Sequence, residues 1–206
     1  MLKILGKAAS INVRKVLWCC DELGLQYIRE DWGAGFQSPA QPSFLAHNPN
    51  ALVPVLIDGD FVLWESNAIC RYLATRDDGA ALLPRAARPR ALVDQWMDWQ
   101  ATEFNNAWRY AFMALVRRSP AHQDHAQIAS SIAAWQRHVG IFEQHLSSGN
   151  QCMVGSTFTP ADIVIGLSLA RWHAAPIERP PFPAVDAYLA RLALRPGYQA
   201  WAADFT

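Results

Sequence analysis

Three short stretches of this 206-residue chain carry residue types whose spacing could do chemistry. The first runs Leu52-Val53-Pro54-Val55-Leu56-Ile57, then Asp58-Gly59-Asp60, Phe61-Val62-Leu63-Trp64 and Glu65-Ser66-Asn67-Ala68. It reads as two apolar strands joined by an Asp-Gly turn, with a carboxylate and a hydroxyl at the start of a helix. Proline donates nothing to a sheet ladder, so Pro54 at the start of a strand belongs at an open edge. An open edge can take up an extended peptide as an added strand, and a helix start offers free N–H groups to a carboxylate. The segment therefore predicts a site for a small acidic peptide. Taken alone, Glu65 could equally be a solvated charge and Ser66 a plain helix cap. The second stretch, Ala9-Ser10-Ile11-Asn12-Val13-Arg14, lies between an apolar strand and a helix. Ser10 and Asn12 are both favoured capping residues, so each has a structural reading beside any chemical one. The third, Phe158-Thr159-Pro160-Ala161-Asp162, is a helix start: Thr159 as cap, Pro160 at the first helical position, Asp162 as capping-box acid, and a Phe158–Ile163 staple.

The elements that must hold these residues follow from periodicity. Residues 2–5 form a strand. Val13, Val16, Leu17 and Cys20 recur at helical spacing, and Gly24 ends that helix. A second strand spans Gln26 to Asp31, Gly33 to Pro42 is loop, and a short helical turn covers Ser43 to His47. The hairpin comes next, with Asp58-Gly59 at its tip, and a helix from Ser66 to Asp77 buries Ile69, Tyr72 and Leu73. The order β-α-β, short helix, β-β-α predicts a parallel pair with a crossover helix and an antiparallel hairpin. Asp77 to Pro89 reads as a linker, and no convincing strand pattern follows it. One long helix is expected from Ala91 to Arg117 and another from about His122 to Leu146, with Ile128, Ile132, Trp135, Val139, Phe142 and Leu146 forming an apolar stripe. The helix from Pro160 is apolar nearly all round, which places it centrally. Val185, Tyr188, Leu189 and Leu192 mark a further one.

Bulk composition narrows the function classes. Eighteen basic and eighteen acidic residues cancel, which gives no general case for nucleic acid or an anionic membrane as partner. The longest apolar stretch, Ile163 to Trp172, is too short to cross a bilayer, and the first seven residues lack the apolar run of a signal peptide. A soluble, cytoplasmic protein is expected. Cys19, Cys20, Cys70 and Cys152 contain no Cys-x-x-Cys pair, which supports neither a disulfide framework nor a zinc site. His122 and His125 lack a third ligand type nearby, so no metal is expected.

Taken together and in order, these motifs resemble the cytosolic glutathione transferases, and the resemblance spans essentially the whole chain. Val53-Pro54 matches the family's cis-proline element, Glu65-Ser66 its γ-glutamyl-binding pair, and Phe158 to Asp162 its capped buried helix. The stretch around Ser10 is similar to that of the bacterial serine-type, theta- or beta-like members. The resemblance implies a thioredoxin-like α/β domain over residues 1–78, a linker over 79–89 and an all-helical domain over 90–206. It implies glutathione as co-substrate with no prosthetic group, and a small hydrophobic electrophile as second substrate. Ser10 would be catalytic, donating its O–H to the glutathione thiolate. Val53, Pro54, Glu65 and Ser66 would bind glutathione, with Asn12 as a further contact. Trp108, Arg109 and Phe112, with Tyr110 and Arg117 nearby, would line the electrophile pocket. Many relatives carry a basic residue where Leu52 stands, so the glycyl carboxylate needs another partner; Asn50 and Gln37 are the candidates. A homodimer is implied as well. Glutathione-dependent peroxide or disulfide reduction, and a non-catalytic interaction module of the same fold, are the competing readings.

Overall fold

The computed structural model describes residues 1–76 and 82–202. Four short strands build one mixed sheet: β1 (Leu2–Leu5), β2 (Tyr27–Glu30), β3 (Val55–Asp58) and β4 (Phe61–Trp64), in the order β2-β1-β3-β4. β1 and β2 run parallel, as expected for strands joined through a helix, here α1 (Ile11–Glu22). β3 lies antiparallel to both β1 and β4. The turn between β3 and β4 is Gly59-Asp60, one residue later than the sequence suggests. Gly59 adopts φ 64°, which glycine tolerates without penalty. α1 and α3 (Ser66–Leu73) pack together, sharing a core with Leu2, Ile4 and Leu56. The short α2 (Pro42–Leu45) carries Phe44 into a second small core with Leu5, Trp32 and Val55.

Pro54 does not mark an open edge. β3 is an inner strand, flanked by β1 and β4. Pro54 escapes the ladder because it precedes Val55, the first paired residue, and the Val53–Pro54 bond is cis. The open main chain belongs to Val53, whose backbone takes no hydrogen bond among the described residues.

The second half is helical. α4 (Ala87–Trp99) passes through a π-helical segment, Gln100–Phe104, into α5 (Asn105–Leu115). The single helix expected over Ala91 to Arg117 is thus present but interrupted. α4 begins inside the stretch read as linker; α3 ends at Leu73, short of the expected Asp77, which itself lies outside the described residues. α6 (His125–Ser147) starts later than His122 because Asp124 caps it, its carboxylate accepting from the N–H groups of Ala126 and Gln127. α7 (Pro160–Ala174) is buried continuously from Pro160 to Trp172. α8 (Pro183–Leu192) and α9 (Pro196–Trp201) pack around it.

The two halves interlock at Trp18. This α1 side chain is fully buried, with its ring against those of Phe158 and Tyr198 from the helical half. Gly197 makes room for it: a Cβ there would sit 2.2 Å from Trp18 Cδ1. The indole N–H donates to Glu22, which also accepts from the Arg195 guanidinium.

Candidate active site

Ser10 holds the N-cap position of α1 with extended backbone, φ −81° and ψ 123°. Its carbonyl accepts from the Arg14 N–H at 2.9 Å, as a cap residue's should. Its hydroxyl makes no capping hydrogen bond. Arg14 fixes the approach to this turn, its Nε donating to the Ala8 carbonyl at 2.8 Å and its Nη1 to that of Trp201 at 3.1 Å. Ser10 and Asn12 face a cavity of about 620 Å³ between the sheet and the helices. Val53 and Leu52 form part of the same wall, while Trp108, Arg109 and Phe112 from α5 form the opposite one.

Glu65 and Ser66 do not line this cavity; they begin α3 at the end of β4. Glu65 is exposed and lies at φ 73°, ψ 109°, an uncommon conformation for a residue with a side chain. Such strain persists where surrounding structure fixes it, and it concentrates at binding sites. Ser66 is buried as the first helical residue, and its hydroxyl bonds to none of the described residues. The next residue, Asn67, locks this helix start in place. Its Nδ2 donates to the Met97 carbonyl at 2.7 Å, and its Oδ1 accepts from Lys15 Nζ at 3.2 Å.

Lys15 is the centre of a buried polar network that joins the halves. Its ammonium also donates to Gln100 Oε1 at 2.9 Å, and Gln100 Nε2 donates to Asn105 and to Ser168, each at 3.0 Å. Burial pulls the Lys15 ammonium down to about 8, against attraction from Glu65. Gln100 opens the π segment, where the extra residue rotates everything beyond it by about 100° relative to an unbroken α-helix. That rotated stretch carries Asn105, Trp108, Arg109 and Phe112 to the cavity.

Several expectations are corrected here. Tyr110 turns away from the cavity toward α6, its hydroxyl accepting from the Asp124 N–H and its ring beside His122. Asn50 is committed to Asn48, its Nδ2 donating at 3.0 Å, and neither Asn50 nor Gln37 lines the cavity. Lys7 does line it, its ammonium donating to the Ala34 carbonyl at 2.8 Å. Sequence reasoning also passed over Arg171. It is buried on α7 beneath Trp108 and Phe112, and the one signal for it is a lone cation near the end of the run Ile163 to Trp172.

A sheet domain presenting an open main chain and a strained helix start, facing a helical bundle across a cavity, is the architecture of the glutathione transferases. Family models agree: "Glutathione S-transferase, N-terminal domain" matches residues 9–76 and "Glutathione S-transferase, C-terminal domain" matches 105–196. Glutathione S-transferase GstB of Escherichia coli (strain K12) is 36% identical over 197 residues, covering 87% of this chain and 95% of that protein. Glutathione S-transferase 3 of Zea mays is 35% identical over 208 residues, covering 96% and 91%. The theta class glutathione S-transferase of Xanthomonas axonopodis pv. citri, solved with glutathione bound, superposes with a TM-score of 0.92 at 40% identity, covering 100% of this chain and 99% of that one. The chain belongs to the glutathione S-transferase family.

Proposed function

We propose that this chain binds glutathione along Val53 and the start of α3, activates its thiol at Ser10, and transfers the sulfur to a small electrophile in the interdomain cavity. The observation that carries the reading is Ser10 itself: it sits at a helix N-terminus on the cavity wall with its hydroxyl uncommitted. The Val53 main chain, just before the cis Val53–Pro54 bond, pairs with the cysteinyl unit. The Ser66 hydroxyl and the first N–H groups of α3 hold the γ-glutamyl carboxylate, and Glu65 accepts from the adjacent ammonium. Asn12, whose side chain has no partner among the described residues, makes a second contact beside the sulfur.

An unperturbed thiol has a pKa of about 8.5, and lowering it by two units requires about 2.7 kcal/mol of preference for the anion. A hydrogen bond to a charged group supplies roughly 1.5–3 kcal/mol, and a helix N-terminus about 0.3–1 kcal/mol more. Ser10 and α1 together are therefore of sufficient size. The thiol proton leaves to solvent and the thiolate attacks the electrophilic carbon. The C–S bond forms as the leaving group departs with its electron pair.

The glutathione-binding part comprises residues 1–78 and the acceptor part 90–206, with a linker over 79–89 whose last residues open α4. Among the described residues no helix is long and apolar enough to cross a membrane. A cytoplasmic setting suits four free cysteines, and a homodimer follows from the family; a sedimentation measurement should return the mass of two chains.

Calorimetry at neutral pH, combined with an aryl halide assay, tests the reading. Glutathione should bind the parent protein with micromolar-to-millimolar affinity, and Ser66→Ala should weaken binding about tenfold, near 1.4 kcal/mol. Failure of the parent protein to bind glutathione would overturn the proposal. Binding with cumene hydroperoxide reduced and no aryl halide conjugated would replace transfer by reduction.

A further inference from the structure

Four chain segments meet at one end of the sheet, and the strand register fixes their order there. Leu5 at the end of β1 pairs with Glu30 at the end of β2 and with Val55 at the start of β3, and Val55 pairs with Trp64 at the end of β4. Across that end the chain therefore presents Glu65-Ser66, then Val53, then Gly6-Lys7, then Gly33-Ala34. Two backbone bonds carry the β1–β2 pairing on into the loops: the Gly6 N–H donates to the Glu30 carbonyl at 2.8 Å and the Lys7 N–H to that of Trp32 at 3.1 Å. The Lys7 carbonyl accepts from the Ser10 N–H at 3.1 Å, so Lys7 opens the turn that ends at Ser10. Its stem lies along Gly33, where an added Cβ would sit 3.6 Å from both Lys7 Cδ and Cε. Its ammonium has the Ala34 carbonyl as its one partner among the described residues, and an ammonium carries three N–H groups.

Neighbouring strands lie about 4.8 Å apart, and an extended tripeptide spans roughly 10 Å. Glutathione that starts at Ser66 and passes Val53 therefore has its glycyl end at the turn after β1. Of the cations among the described residues that line the cavity, only Lys7 belongs to the sheet half; Arg109, Arg117 and Arg171 belong to the helical half. No Asp or Glu is among those lining residues to compete for it, and the Leu52 side chain beside Val53 has no donor to offer. Resting on the glutathione reading above, we propose that Lys7 binds the glycyl carboxylate of glutathione and makes the site specific for thiol peptides that end in a charged carboxylate. The contact with Gly33 and Ala34 sets where the ammonium stands, and the turn to Ser10 sets how far it stands from the thiol. One short segment, Lys7 to Ser10, thus recognises both the thiol and the C-terminal charge of the same ligand.

The test compares, by calorimetry, glutathione with its glycinamide analogue, which has the same shape and no glycyl charge. The parent protein should bind glutathione about fivefold more tightly at low ionic strength, with the preference shrinking as salt rises. Lys7→Met keeps an apolar stem on Gly33 and should weaken glutathione about fivefold, to the level of the amide, while amide binding changes by less than about twofold. Lys7→Arg should keep the preference. In the conjugation assay Lys7→Met should raise the KM for glutathione by the same factor and leave kcat nearly unchanged, because Ser10 still holds the sulfur. Equal binding of the two ligands by the parent protein would overturn the proposal, as would a preference that survives in Lys7→Met. So would equal weakening of both ligands by Lys7→Met, since the lysine would then only brace the loop. Binding of neither ligand by the parent protein would defeat the glutathione reading and this inference with it, a result distinct from equal binding.

Discussion

Ser10 shows how one side chain can be withheld from structure. A serine at an N-cap ordinarily accepts from the helix and contributes about 1 kcal/mol; here the backbone takes the cap conformation and the hydroxyl stays out of it. Ser10→Ala should therefore cost little stability but remove the donor to the sulfur. A 10²–10³-fold loss in kcat/KM is expected, roughly the effect of deleting one donor to a developing anion, with glutathione affinity nearly unchanged. The ultraviolet band of the bound thiolate should shift its titration to higher pH. Retention of parent kcat/KM would move the role to Asn12. At this scale the sequence speaks where residues adjoin: Ser10, Val53 and Glu65-Ser66 sit within short runs that carry the family resemblance, and their proposed roles come from that resemblance rather than from spacing alone. Arg171 was hidden because its neighbours along the chain are core residues, and its cavity-side partners come from α5.

Among the elements, α7 and the α4–α5 helix differ in what fixes them. The start of α7 is held by Asp162, whose carboxylate accepts from the Met153 N–H at 2.7 Å, the Thr159 N–H at 2.8 Å, the Thr159 hydroxyl at 3.0 Å and the Tyr188 hydroxyl at 2.8 Å. Burial raises the carboxyl's pKa, with these four bonds pulling the other way. Asp162→Ala leaves at least two buried N–H groups without acceptors, and each such group costs about 1–3 kcal/mol. A loss of about 3 kcal/mol or more in urea unfolding is expected; a loss under about 1 kcal/mol would mean that water replaces the carboxylate. This cap was legible because its residues adjoin in sequence. The π segment was not. Its extra residue is accommodated by Gln100 reaching Lys15 and Ser168, 85 and 68 positions away along the chain, and no helical period encodes that. Tyr110 was grouped with Trp108, Arg109 and Phe112 because they are close in sequence, but on α5 it takes another face and meets α6.

Across the molecule, Lys15 couples the two halves to pH. The unfolded chain gives up this proton near pH 10.4, the folded protein near 8. Between those values the unfolded state holds the extra proton, so stability rises with pH through that window, and below pH 8 the full penalty of the buried charge remains. Lys15→Met abolishes that slope. Urea midpoints measured from pH 7.5 to 10 should show the parent protein gaining on the variant, and parallel curves would mean that Lys15 is not buried as a cation. The division into a sheet half and a helical half was readable from composition and period, since strands stop before the linker and apolar stripes of helical spacing begin after it. How the halves join was not readable, because Trp18 looks like any core residue of α1. Its indole fills a socket made by Phe158, Tyr198 and Gly197. The plug is encoded in one half of the gene and the socket in the other. Severed at the linker, the sheet fragment would expose an indole with nothing to cover it and the helical fragment an empty hole. The boundary that a reader of the sequence draws between two domains is therefore not a boundary between two folding units, and the protein should melt as one.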